Sequence, residues 1–169
     1  MKKIFILTTL FIATCTLELV AQSAQQFFTK AQSKQEFGDL KGAIEEYTNA
    51  IGMKPDFINA YIKRGQAYQM DGNQRAALRD FDLACALDST NVAALNSRGQ
   101  LLMEMGKKQE ALKDLNQAIR ILPTYGNALL NRGRLKIQLN DTTGACLDFE
   151  QAALFGKKKG VALQQMYCK

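Results

Sequence analysis

The sequence predicts an all-α solenoid of antiparallel helix pairs, and three observations carry that prediction. First, the stretch Ile58 to Asn91 recurs with a period of 34 residues, landing on Val92 to Tyr125, on Gly126 to Lys159 and, backwards, on Ala24 to Phe57. A fixed period of that size marks a stacked-repeat architecture. Second, small residues flank one bulky apolar residue in every copy: Ala43-Tyr47-Ala50, Ala77-Phe81-Ala84, Ala111-Leu115-Ala118 and Ala145-Phe149-Ala152. A spacing of four then three puts all three on one helix face. Third, Gly38, Gly72, Gly106 and Asn140 fall where one helix must stop and the next begin. Both residue types tolerate the left-handed backbone that such a stop needs.

In chain order, residues 1–23 come before the first copy. Lys2-Lys3 makes a short basic start, Ile4 to Ala13 is apolar apart from two threonines, and the segment ends in Leu19-Val20-Ala21-Gln22-Ser23. That is the layout of a secretory signal peptide, cut after Ala21 or after Ser23. Two other readings stay open. Ile12-Ala13-Thr14-Cys15 has the outline of a lipoprotein box in which Cys15 would carry lipid, although Thr stands where Gly or Ala is preferred. An uncleaved anchor is the third, against which Ile4 to Ala21 is short for a span and carries Glu18. All three readings export the remainder of the chain.

Four copies follow, 24–57, 58–91, 92–125 and 126–159. Gly65, Gly99 and Gly133, with Ala31 in the first copy, supply a small residue where two helix axes must approach closely. Residues 160–169 align with the first helix of a fifth copy, Leu163 and Tyr167 replaying Leu129 and Gly133. This tail is expected to dock as a cap over the last apolar face, which a repeat array must cover.

The repeating places resemble the tetratricopeptide repeat, whose pattern runs W-x2-L-G-x2-Y, then A-x3-F, then P. The resemblance covers residues 24–159. Trp is absent, and the first aromatic place holds Phe27, Tyr61, Leu95 and Leu129. The closing Pro is present at Pro55 and Pro123 but is Ser89 and Lys157 in the other copies. The resemblance implies a right-handed superhelical solenoid whose first helices line a concave face that holds extended peptides or partner helices. Carried over place by place, the row one past the glycine is Gln32, Gln66, Gln100 and Arg134. Three residues further stand Gln35, Gln69, Met103 and Ile137; three before the glycine stand Phe28, Ile62, Asn96 and Leu130; a fourth row holds Gln25, Asn59, Ala93 and Asn127. Glutamine offers both a donor and an acceptor, so these amides could satisfy the backbone of an extended peptide, with Phe28, Ile62, Leu130 and Met70 adding apolar contact. The competing reading is that the glutamines are solvated helix formers. Relatives that clamp the C-terminal carboxylates of chaperones use Lys, Asn and Arg on these rows. Among the residues named here Arg134 alone is basic, so that activity is not carried over.

Composition narrows the function classes. The chain has 169 residues and no histidine. Without His there is no Ser-His or Cys-His nucleophile pair and no His-containing zinc site. The spacing of acids suggests no carboxylate chemistry, so no catalytic residue, cofactor or metal is expected. A formal net charge of +6 is modest. The basic residues are scattered rather than drawn into a stripe with stacking aromatics, which argues against nucleic acid.

Beyond the leader stand Cys85, Cys146 and Cys168. An exported chain meets oxidising conditions, and a Cys146–Cys168 disulfide would pin the cap; two half-buried thiols are the alternative. Cys85 is expected in the core. Arg64, Arg98 and Arg132, with Lys30, recur before the glycine, and Asp80, Asp114 and Asp148, with Glu46, recur before the bulky core residue. A ladder of surface ion pairs, worth under about 1 kcal/mol each, is preferred over a basic track for an acidic ligand. The expected function is a non-enzymatic protein-binding adaptor, similar to small exported repeat proteins of Gram-negative-type bacteria, in the periplasm or outer envelope, secreted or lipid-anchored. The alternative is a lipid-anchored or membrane-held structural subunit of an envelope complex, associated with the membrane through its leader and contacting partners through its convex face or cap.

Overall fold

The computed structural model describes residues 21–168, and the leader residues Lys2, Lys3, Cys15 and Glu18 lie outside that range. The described residues are helical throughout, in nine helices joined by short turns. The chain divides into two compact units, Met1–Asn73 and Gln74–Lys169.

The first unit holds α1 (21–36), α2 (Leu40–Met53) and α3 (Ile58–Met70). α1 is already helical at residues 21–23, which the sequence assigns to the leader. Phe28 and Ala31 of α1, Ala43, Tyr47 and Ala50 of α2, and Ala60 and Ala67 of α3 form its core. Phe28 stacks at 5.6 Å from Tyr47 and 4.9 Å from Phe57, ring centre to ring centre. Gly38, at φ 81°, ends α1. Its N–H donates to the Gln35 carbonyl and the Asp39 N–H to the Lys34 carbonyl, a Schellman stop. Asp39 then caps α2, accepting from the Gly42 N–H at 2.9 Å.

The second unit runs α4 (Gln74–Leu87), α5 (Val92–Glu104), α6 (Lys108–Ile121), α7 (Gly126–Gln138), α8 (Thr142–Leu154) and α9 (Lys158–Tyr167), each packed on the next. The same stop closes α5 at Gly106 and α7 at Asn140, the latter at φ 63°. The need for glycine inside α7 is steric: a Cβ on Gly133 would sit 2.5 Å from Cε1 of Phe149. Leu129, Leu130, Ala145, Phe149 and Ala152 form a core cluster, with Leu163 and Cys168 packed against it. α9 closes on α8 through Gly160, where a Cβ would come within 2.7 Å of the Phe149 carbonyl oxygen. Tyr167 stands in the glycine place of this last helix and lies 6.3 Å from the Phe149 ring. α9 thus packs on α8 where the sequence expects a cap.

Candidate partner-binding faces

Packing decides which of the four sequence rows remain open. Residues three before the glycine share its face, and that face is pressed onto neighbouring helices. Phe28, Ile62, Asn96 and Leu130 are accordingly only 8%, 5%, 8% and 6% exposed. Here the structure corrects the sequence reading: these four are core residues and are not available to a partner. Asn96 is also satisfied internally, its Oδ1 accepting from Asn131 Nδ2 at 2.9 Å in a buried pair. The row one past the glycine turns roughly 100° away from it and the row four past only roughly 40°, yet both stay partly open to solvent. Gln32, Gln35, Gln66 and Gln69 are half-buried, and Asn59 and Met70 are exposed.

In the first unit the rows converge. Gln32, Gln35, Glu36, Tyr47, Lys63 and Met70 line a cavity of about 270 Å³. The Tyr47 hydroxyl donates to Gln35 Oε1 at 2.9 Å, and Gln35 Nε2 lies 3.4 Å from Met70 Sδ. Burial pushes the Tyr47 phenol up to about 12, with Glu36 adding to the effect, so it remains a neutral donor. Gln35 is therefore a fixed wall of the cavity rather than a free amide. Lys63 and Glu36 add one charge of each sign, two groups that row-by-row reading missed.

In the second unit Gln100, Met103, Arg134 and Ile137 are half-buried and Asn127 is exposed. Gln100 Nε2 donates to Glu104 Oε1 at 3.1 Å, leaving its oxygen and its second N–H open to a ligand. The structure thus places an open row on α1 and α3 in one unit and on α5 and α7 in the other, with the amide ladder partly spent on internal bonds.

The recurring charges form the ladder expected from the sequence, at a separation of 16 residues. Arg98 grips Asp114 with Nε and Nη2 at 2.7 and 2.8 Å, and Arg132 grips Asp148 at 2.9 and 2.6 Å. Lys30 reaches Glu46 at 2.7 Å and holds its carboxyl below the usual range. One expectation changes: these are not surface pairs, since the carboxylate side chains of Glu46, Asp114 and Asp148 are only 6%, 6% and 3% exposed. Each arginine also reaches back 16 residues with Nη1, from Arg64 to Thr48, from Arg98 to Asp82 and from Arg132 to Asn116. Thr48, Asp82 and Asn116 are themselves 34 residues apart, a row that could have been read from the period. Arg98 and Arg132 thus clamp α5 and α7 to the second helix before each as well as to its own, and Arg64 ties α3 to α2. In the fourth repeat Lys136 adds a second cation to Asp148 at 3.0 Å; Leu102 takes that place in the third, beside a cavity of about 370 Å³.

The structure pairs Cys146 with Cys168, Cα atoms 5.7 Å apart, tying the end of α9 to α8. Cys85 is buried, and burial pushes its thiol up to about 11, away from reactive thiolate.

A stack of helix pairs with an open first-helix row and a charged internal clamp is a protein–protein interaction module. The family comparison agrees: a profile described as TPR repeat matches residues 36–72, and one described as tetratricopeptide repeat matches residues 92–125. The chain is a tetratricopeptide-repeat protein, from a family of interaction scaffolds. Comparison with curated proteins finds no match. Among solved structures, a tetratricopeptide repeat protein from Parabacteroides merdae is 26% identical with a TM-score of 0.69, over 85% of this chain and 59% of its own length. PilF of Pseudomonas aeruginosa is 20% identical with a TM-score of 0.75, over 82% of this chain and 63% of that one. The first TPR of Spaghetti (RPAP3), solved bound to the HSP90 peptide SRMEEVD, is 24% identical with a TM-score of 0.67, over 71% of this chain and 95% of that one. The last two likenesses speak for the fold alone.

Proposed function

We propose that the chain is an exported adaptor that docks an extended peptide or a helix of a partner on its first-helix faces. The observation that carries this reading is the cavity on α1 and α3, where Gln32, Glu36, Lys63 and Met70 offer amide, anion, cation and thioether around one concavity. Such mixed lining suits a peptide, whose backbone needs donors and acceptors while one or two side chains need apolar surface. The peptide seated on the Spaghetti repeat supports the same use of this fold. Export is supported by the basic start, apolar stretch and small-residue end of residues 1–23.

Cross-linking pull-down from intact cells tests the docking. Replacing Gln66, Gln100 and Arg134 together with Ala should abolish partner capture while the chain stays folded. Fractionation and N-terminal sequencing of the mature protein test export, and recovery of an intact Met1 from the cytoplasm would contradict it. A second reading, a membrane-held structural subunit that contacts partners through its outer face, is favoured by Leu147 and Leu154 of α8, which are 57% and 77% exposed. Capture that survives the triple change and is lost in Leu147→Ser would select it.

A further inference from the structure

We propose that the outer face of α9 and the turn before it form a docking surface for an anionic lipid bilayer. The turn is unlike those that lead into α3 and α7. There the chain passes through Pro55 and Pro123; here α8 ends at Gly156, φ 79°, and Lys157, Lys158 and Lys159 occupy the places of Pro123, Thr124 and Tyr125. From Gln151 to Lys169 the sequence holds four lysines and no Asp or Glu.

The apolar side chains in the same stretch are open. Leu154 is 77% exposed, Met166 64%, Val161 45% and Phe155 42%. Within α9 the helical period sets Lys158, Val161, Ala162 and Gln165 opposite the buried Gly160 and the partly buried Leu163. Lysines and apolar residues thus share the side that no helix of this unit covers.

This chemistry suits a lipid–water interface. Apolar side chains enter the boundary between headgroups and acyl chains, while lysine stems run along it and keep their ammonium groups at the phosphates. Each lysine near an anionic surface strengthens partition by roughly fivefold. A helix of ten residues lies on such a surface and does not span it. An acidic protein would satisfy the lysines but not the apolar side chains Leu154 and Met166, which stand open beside them. The surface uses none of the residues of the peptide-docking rows.

The test is co-sedimentation of the full chain with vesicles of phosphatidylcholine alone or mixed with phosphatidylglycerol. Lys158→Glu/Lys159→Glu and Leu154→Ser/Met166→Ser are compared with a control of equal charge change, Lys41→Glu/Lys113→Glu, whose lysines are exposed elsewhere. The leader is common to all, so it cancels. The proposal expects partition onto the anionic vesicles to fall at least about tenfold in the first two variants and to stay near the parent value in the control, with melting temperatures unchanged. An equal fall in the control, or no fall in either test variant, overturns it. So does polyglutamate binding that equals vesicle binding and falls in the same variants, which would make the partner an acidic protein.

Discussion

Removing either clamp arginine should destabilise the fold, and the two should not cost the same. Arg98→Ala leaves Asp114, whose side chain is 6% exposed, with no ion-pair partner among the described residues, and also releases Asp82. Stripping one partner from a buried pair costs about 3–5 kcal/mol, because the remaining charge stays desolvated. Arg132→Ala deletes the same two-pronged grip on Asp148, but Lys136 Nζ remains 3.0 Å away. Roughly half the penalty, about 2 kcal/mol, is then expected. The assay is urea unfolding at neutral pH, comparing midpoints at constant slope. Leu102→Lys placed in the Arg98→Ala background should recover part of the loss by restoring the cation that the fourth repeat carries. Losses below about 1 kcal/mol for both variants, as exposed pairs give, would refute the reasoning. So would a larger loss for Arg132→Ala than for Arg98→Ala.

Three further perturbations follow from packing and charge. Gly133→Val should cost about 1–3 kcal/mol or more in the same assay, because its Cβ would meet the Phe149 ring at 2.5 Å; a neutral outcome would mean that the two helices are less closely packed. Non-reducing mass spectrometry of the exported protein should return a linked Cys146–Cys168 peptide, and Cys168→Ser should speed amide exchange in α9. A bridge spanning 22 residues is worth about 3 kcal/mol in the chain-entropy model, and two free thiols would contradict the pairing. Lys30 and then Lys34 hold the Glu46 carboxyl below its ordinary value. A depressed carboxyl lends stability above its unfolded-state pKa and loses it as pH falls through the folded one. Glu46→Gln should therefore flatten the decline in melting temperature below about pH 4.5, and an unchanged acid limb would remove Glu46 as a cause.

The fold could be read from particular residues because a repeat states the same constraint several times. Ala77-Phe81-Ala84 alone fits any buried helix; its recurrence at Ala111-Leu115-Ala118 and Ala145-Phe149-Ala152 fits little but a stack. The turns were equally open to reading, since Gly38, Gly72 and Gly106 have φ near 80° and Asn140 takes φ 63°. The site was legible only in part. Phe28, Ile62, Asn96 and Leu130 looked accessible because they recur on a first helix, yet they lie three residues before the glycine and so share its buried face. Helical period alone does not separate them from the open rows, since four past the glycine is roughly 40° from it and three before roughly 60°; the packing of the neighbouring helices does. The bond from the Tyr47 hydroxyl to Gln35 was hidden as well, because it joins side chains of two helices whose separation no period specifies. The depth of the carboxylates was hidden for a related reason: a recurring Asp reads as surface until the small Ala and Gly neighbours have drawn the helices together around it.

The central claim is that the first-helix rows are where a partner binds. A photo-cross-linking residue placed singly at Gln32, Lys63, Gln100 or Arg134, and for comparison at the exposed outer positions Lys41 and Lys113, tests it in intact cells. The account predicts one discrete adduct from the first-helix positions and none from the outer ones. Adducts from the outer positions, with the first-helix positions silent, would contradict it.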